Sequence, residues 1–258
     1  MKEGKAMDKS ILEEVRERFG ELVAKNNLSD RAISVVVKTL TPEEAIGNPG
    51  RRDFPIVLGK ERVIEAEFEG TKAQAFTDSP KEFAGKLGDA LTLPFDSNGN
   101  RAVFIAVLNA VLRYLGMLEK TLHCRDEEPE HCARETAAFL KCKYPQARVG
   151  LVGLNPAIAE SLADVFGAAR VWITDLNPDN VGRVKYGVEV WDGRTRTEDL
   201  VKASDVVLLT GTTLANGTFD ALWRGIERQG KGYLIYGVTS AGVCELMGLD
   251  RICLYGRT

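Results

Sequence analysis

Two His-Cys pairs lie eight residues apart in one short run, His123-Cys124-Arg125-Asp126-Glu127-Glu128-Pro129-Glu130-His131-Cys132, and Cys142 follows ten residues on. Both histidines of the chain and three of its five cysteines fall here, interleaved with carboxylates. Imidazole, thiolate and carboxylate bind transition metals and carry acid–base or nucleophilic chemistry near neutral pH. The spacing matches neither the C-x-x-C nor the H-x-x-x-H pairs of common zinc sites. Along one helix eight residues span about 12 Å, too far to share an ion. Pro129 would break such a helix or begin a new one. The candidate metal ligands are His123, Cys124, Asp126 and Glu127. His123 and Cys124 are also the candidates for base and nucleophile. Asp126, Glu127 and Glu128 equally suit the first turn of a helix starting near Pro129, where its dipole favours negative charge. His131 and Cys132 stay open between structural and functional roles. Cys142 reads as a small buried hydrophobe.

A chain of 258 residues can hold two modest domains or one large one. Its 44% hydrophobic and 28% charged content is that of an ordinary soluble protein. A net charge of −3 gives no basic stripe for nucleic acid. No apolar run is long enough to span a bilayer, and no charged-then-apolar leader follows Met1. Five scattered cysteines suit a reducing cytoplasm, the expected location.

Ile11, Val15, Phe19 and Leu22 predict a helix from about Ser10 to Ala24, opened by a Ser10/Glu13 capping box. The β-branched run Ile33 to Val37 reads as a strand. Val63 to Phe68 and Lys72 to Phe76, joined by Glu69-Gly70, predict a hairpin. Helices are expected over Ser79 to Leu87 and Asn100 to Leu118. From Arg148 the texture changes to strands at 148–152, 170–174, 205–209 and 233–236, alternating with helices at 157–166 and 219–228. That alternation predicts a parallel sheet covered on both faces. The expected fold is α/β: residues 1–120 form a smaller α+β domain, and 121–258 a Rossmann-like domain with 121–147 as linker loop and helix.

Ligands of open α/β sheets sit beyond the carboxyl ends of the strands. Three such ends are rich in glycine, hydroxyl and amide groups: the run containing Asn155, the run Thr210 to Thr218, and the run Gly237 to Gly242. Asn155, Thr210, Gly211, Thr212, Thr213, Asn216, Thr239 and Ser240 are therefore expected to line one crevice, with His123 and Cys124 facing it from the domain junction. Turn chemistry, with Thr218 as an N-cap, is the alternative. Asp175 ends the second strand, where dinucleotide-binding proteins place a ribose-binding acid, but Gly153-Leu154-Asn155-Pro156 is not a G-x-G-x-x-G turn. Asp175 is either a ligand to a nucleoside-bearing molecule or the cap of its own turn. Asn109, inside an apolar helix, either clasps a neighbouring loop or reaches the cleft.

Several segments together resemble a family of heavy-metal chelation proteins from anaerobic bacteria and archaea. They are Gly70 to Asp78, Ala106 to Ala110, Thr121 to Cys132, Thr210 to Thr218 and Tyr236 to Gly242. In that family a domain similar to the enolase N-terminal fold precedes a Rossmann-like domain. The resemblance implies this fold, a cleft between the two parts, and a link to metal or cobalamin metabolism. Three functions remain open: handling of a heavy metal or metal-chelating small molecule; an enzyme acting on a small anionic or nucleotide-like ligand, such as S-adenosylmethionine, through Cys124 or His123; and a non-catalytic ligand-binding module. The expected partner is a small molecule or metal, with neither nucleic acid nor membrane. A transition-metal ion is the one cofactor these residue types suggest. Self-association stays open.

Overall fold

The computed structural model describes residues 9–29 and 38–258; the expected strand at 33–37 lies outside them. Its first helix, α1 (Ile11–Lys25), begins as the sequence requires. Ser10 Oγ accepts from Glu13 N–H, and Glu13 returns a carboxylate to Ser10 N–H at 2.9 Å. Strand β1 (Lys38–Leu40) leads into α2 (Pro42–Ile46), which is opened by a second capping box between Thr41 and Glu44. β2 (Arg62–Phe68) and β3 (Thr71–Thr77) form the hairpin, with Glu69 and Gly70 both at positive φ as a primed turn demands. β1, β2 and β3 make a three-stranded antiparallel sheet.

The expected helix at 79–87 is not there. Pro80 disfavours helix for Ser79, and Asp89 accepts from Lys86 N–H, so α3 starts late and spans Leu87–Leu91. α4 (Asn98–Tyr114) is capped by Ser97 and ends before Gly116, which adopts a left-handed φ of 72°. α5 (Glu128–Lys143) takes Pro129 in its first turn.

The remaining elements are β4 (Val149–Val152), α6 (Pro156–Phe166), β5 (Val171–Asp175), β6 (Val184–Lys185), β7 (Val188–Asp192), α7 (Thr197–Ala203), β8 (Val206–Thr210), α8 (Thr212–Ala215), α9 (Phe219–Arg228), β9 (Gly232–Tyr236), α10 (Ala241–Met247) and β10 (Arg251–Ile252). They build a seven-stranded sheet of order β10-β9-β8-β4-β5-β7-β6, parallel except for the edge strand β6. Side chains of the central strands alternate between two apolar clusters. Val149, Leu151, Val206 and Leu208 join α5 and α6 on one face; Val152, Val207, Leu209 and Ile235 join α7, α9 and α10 on the other. The second cluster also takes in α1, α4 and the hairpin residues Ile64, Ala66, Phe68, Ala73 and Ala75.

Candidate functional site

β4 and β8 lie side by side at the centre of the large sheet, and the chain leaves them toward opposite faces, through α6 and through α8 and α9. This is a topological switch point, where the loops diverge and leave a crevice. The loops meet closely. Gly153 has φ 85°, and a Cβ there would stand 2.6 Å from Thr210 Cγ2. The Tyr236 hydroxyl donates to Gly153 O at 3.3 Å, and Gly211 N–H to Tyr236 O at 3.0 Å.

The opposing wall comes from the small sheet. Register pairs Val63 with Phe76, and strand alternation then puts Glu61, Val63, Phe76 and Asp78 on one face of the hairpin. That face is the one turned from α4, because Ile64 and Ala75 occupy the other. Phe76 N–H donates to Thr239 Oγ1 at 3.0 Å, fastening the hairpin to the loop after β9. The segment before β2 crosses the other side. Lys60 pairs with Asp179 at 2.7 Å, and Arg51 binds Asp53, Glu160 and Tyr186.

Glu61 is half-buried, and among the described residues no hydrogen bond or ion pair holds its carboxyl. Burial, then the neighbouring Asp175 and Asp78, push its pKa from 4.5 to about 7. Tyr236 stands in the same field: burial chiefly, and Glu61 and Asp175 in addition, raise its phenol. Sequence reading missed both residues. Glu61 sits in a polar loop with no motif, and only the hairpin register, which the sequence does show, turns it toward the crevice.

The expected ligand residues divide. Asn155, Thr210 and Thr212 remain partly exposed at the crevice, though Asn155 Oδ1 caps α6 and Thr210 Oγ1 accepts from the Thr212 hydroxyl at 3.1 Å. Thr213, Thr239 and Ser240 are buried: Thr213 donates to Thr210 O at 2.7 Å, Thr239 receives Phe76 N–H, and Ser240 packs against Gly211. Asn216 Oδ1 accepts both Thr218 N–H and Thr218 Oγ–H, so Asn216 closes the turn before α9 and Thr218 makes no side-chain cap of its own. Asp175 gives one oxygen to Leu154 N–H at 2.7 Å and the other to Asn177 N–H at 2.6 Å. Burial still raises its pKa despite these donors. Its turn-capping role is present. Asn109 is fully buried and clasps: Oδ1 accepts Gly242 N–H at 2.7 Å, while Nδ2 faces the carbonyls of Val238, Thr239 and Gln74.

The His-Cys run splits among three environments. The His123 ring packs on Phe76 at 5.0 Å between centroids, the backbone N–H of His123 donates to Gln74 Oε1, and Nδ1 donates to Cys124 O at 2.6 Å. Burial lowers its pKa, which favours the neutral ring. Asp126, at φ 57°, accepts Asn48 N–H. Glu127 borders a separate cleft of about 230 Å³ with Glu130, His131 and Arg134. Among the described residues no three His, Cys, Asp or Glu side chains converge closely enough to hold a metal ion. The four residues expected as metal ligands are therefore not gathered around one point. Cys142 is exposed, contrary to expectation. The buried stripe of α5 runs through Ala133, Thr136, Ala137 and Leu140, and Cys142 falls off it.

Cys124 has a partner that spacing could not show. Cys124 is buried, with its sulfur 3.7 Å from His123 Nδ1, and Cys132 is its electrostatic neighbour. The interaction with Cys124 holds the Cys132 thiol below its ordinary pKa, while the same interaction and burial push Cys124 up. Cys253 lies in the electrostatic field of Cys132, on the chain end whose Arg257 pairs with Leu122 through two backbone hydrogen bonds.

Residues 138–247 match the model of a family described as DUF364, putative heavy-metal chelation. This is the family the sequence motifs resemble. No curated protein matches the chain. Two solved structures of DUF364 proteins, each described as of unknown function, share the fold. One, from Pyrococcus horikoshii, is 13% identical with a TM-score of 0.51, over 90% of this chain and 80% of that one. The other, from Desulfitobacterium hafniense, is 13% identical with a TM-score of 0.52, over 92% and 84%.

Proposed function

With residues 138–247 placed in the DUF364 family, we propose that the chain binds a small cationic ligand, a metal ion carried by a chelating molecule, in the crevice between the switch-point loops and the hairpin face. The observation that carries this reading is Glu61: a half-buried carboxyl, without a hydrogen-bond donor or cation among the described residues, in the field of a second half-buried acid. A buried charge calls for a counter-charge. The lining is acidic, which opposes a phosphate-bearing or other anionic ligand. Donors are few, because Asp175 is already spent on backbone amides and no three-residue metal cluster exists among the described residues. A bare ion would be poorly held, whereas a complex that brings its own donors needs only charge, shape and hydroxyls. Tyr236, Thr210 and Thr212 supply the hydroxyls.

Calorimetric titration with cationic and anionic complexes of one divalent metal, and with the free ion, tests this. The cationic complex should bind, and Glu61→Gln should weaken it at least tenfold, which is about 1.4 kcal/mol. Equal binding by the variant, or equal binding of the anionic complex, would refute the reading.

A further inference from the structure

One rim of the crevice buries nothing. Residues 176–187 lead from Asp175, at the end of β5, to β7, and every one of them keeps contact with solvent. Among them Tyr186 alone rests against an apolar cluster. Their order comes from turns: Asn177 O accepts Asn180 N–H at 3.0 Å and Val181 N–H at 3.3 Å, and the two residues of β6 pair with the edge of β7. Segments with so little apolar burial open far below the cost of global unfolding. Opposite lies an anchored strap, residues 48–60, which ends at Glu61. Phe54 and Ile56 hold it down, 5% and 4% exposed, and Arg51 N–H donates to Glu130 at 3.1 Å. Rim and strap meet at two points. Lys60 pairs with Asp179 at 2.7 Å. The Tyr186 hydroxyl donates to Asp53 at 3.0 Å and accepts from Arg51 at 2.5 Å. Lys60 directly precedes Glu61, and Asp179 stands in the turn that Asp175 begins, so the first contact bridges the two acidic walls. We propose that residues 176–187 form a lid over the crevice, latched to the strap by Asp179 and Tyr186, and that ligand enters when the latch opens. This rests on the crevice being the binding site.

The backbone of Tyr186 points the same way. It holds φ at 53° in the turn Tyr186-Gly187 between β6 and β7, a left-handed conformation that Asn or Gly takes more readily than an aromatic residue. The phenol that reaches the strap offsets that poor turn preference. Strained backbone of this kind gathers at clamps and switches. The latch is also weak enough to release. The side chains of Lys60 and Asp179 are 49% and 64% exposed, and such pairs shift an equilibrium by about fivefold or less and yield to salt.

The test uses the full chain without ligand and a Tyr186→Asn/Asp179→Ala double variant. Asn suits the left-handed φ, so the turn survives while the latch is lost. Hydrogen exchange read by mass spectrometry should quicken about fivefold over residues 176–187, with β2 and β4 unchanged. A water-soluble carbodiimide should label Glu61 faster by a similar factor, with exposed Glu119 unchanged. Loss of the Asp179 charge would by itself slow that reagent, which attacks the protonated carboxyl, so faster labelling reports access. Neither readout needs a ligand. The lid can therefore fail while the cationic complex still binds, and the complex can fail to bind while the lid stands. If faster exchange in β4 shows that the double variant misfolds, the parent protein in about 1 M salt decides: exchange over 176–187 and labelling of Glu61 should both rise there. Exchange that stays at the parent rate would overturn the proposal. So would faster exchange with Glu61 labelling unchanged, because a rim that moves without uncovering the crevice is no lid.

Discussion

Glu61 is a residue whose cost to the fold and value to a ligand have the same origin. Its carboxyl loses part of its water without gaining a donor among the described residues, so the proton is held up to about pH 7 in the folded state against 4.5 when exposed. The sign follows from linkage: over that window the folded state binds the proton and the unfolded state has lost it, so stability falls as pH rises. The favourable contribution is whole below about 4.5 and gone above about 7. Gln at this position stays neutral. In ligand-free protein, Glu61→Gln should match the parent in unfolding free energy near pH 4. Near pH 8 it should exceed the parent, by at most about 3 kcal/mol. Denaturant melts at the two pH values check this, and a variant equally stable or weaker at both would show that the carboxyl has found a partner.

At the scale of elements, the strength of the local signal decided what the sequence showed. α1, the hairpin and the strands β4, β5, β8 and β9 are long or strongly patterned, and each lies within a residue or two of its expected place. The stretch between β5 and β8 was passed over, because β6 has two residues, β7 five, and α7 only seven. The crevice was legible as three loops at strand ends. Which hydroxyls would be spent on neighbouring loops was not, since Thr239 answers to Phe76 and Asn109 to Gly242, partners 163 and 133 residues away. Cys253, 121 residues beyond Cys132 in the sequence, was hidden for the same reason. The glycine of the first loop shows how tightly two elements constrain one position. Gly153→Ala would place a Cβ at a left-handed φ and against Thr210, which closes β8. The expected loss is about 1–3 kcal/mol, with the crevice ligand weakened as the loops part. A stability change within 0.5 kcal/mol of zero would mean that β4 and β8 part without strain.

At the scale of the molecule, the two sheets share one apolar interior. α4 is buried along nearly its whole length, with the hairpin on one side and α8 and α10 on another. One cluster runs without a break from Phe19 and Phe68 to Leu209, Phe219 and Val243. Asn109 ties the same parts through polar contacts, reaching Gln74 of the hairpin and Val238 and Gly242 beside β9. A core so joined should unfold as a unit, whatever boundary the topology suggests near residue 120. The chain carries its own reporter, because all three tryptophans, Trp172, Trp191 and Trp223, lie in the parallel-sheet part. Phe68 is fully buried in the small sheet, its ring edge-on to Tyr114 at 4.8 Å. Phe68→Ala opens a cavity there and should cost about 3–5 kcal/mol. If folding is cooperative across both sheets, the tryptophan fluorescence midpoint falls together with the far-ultraviolet circular dichroism midpoint, although no tryptophan neighbours the substitution in the sequence. A fluorescence midpoint that stays at the parent value while part of the dichroism is lost early would show that the small sheet melts by itself. The crevice would then lie between two separately folding bodies, and its affinity would depend on how firmly they dock.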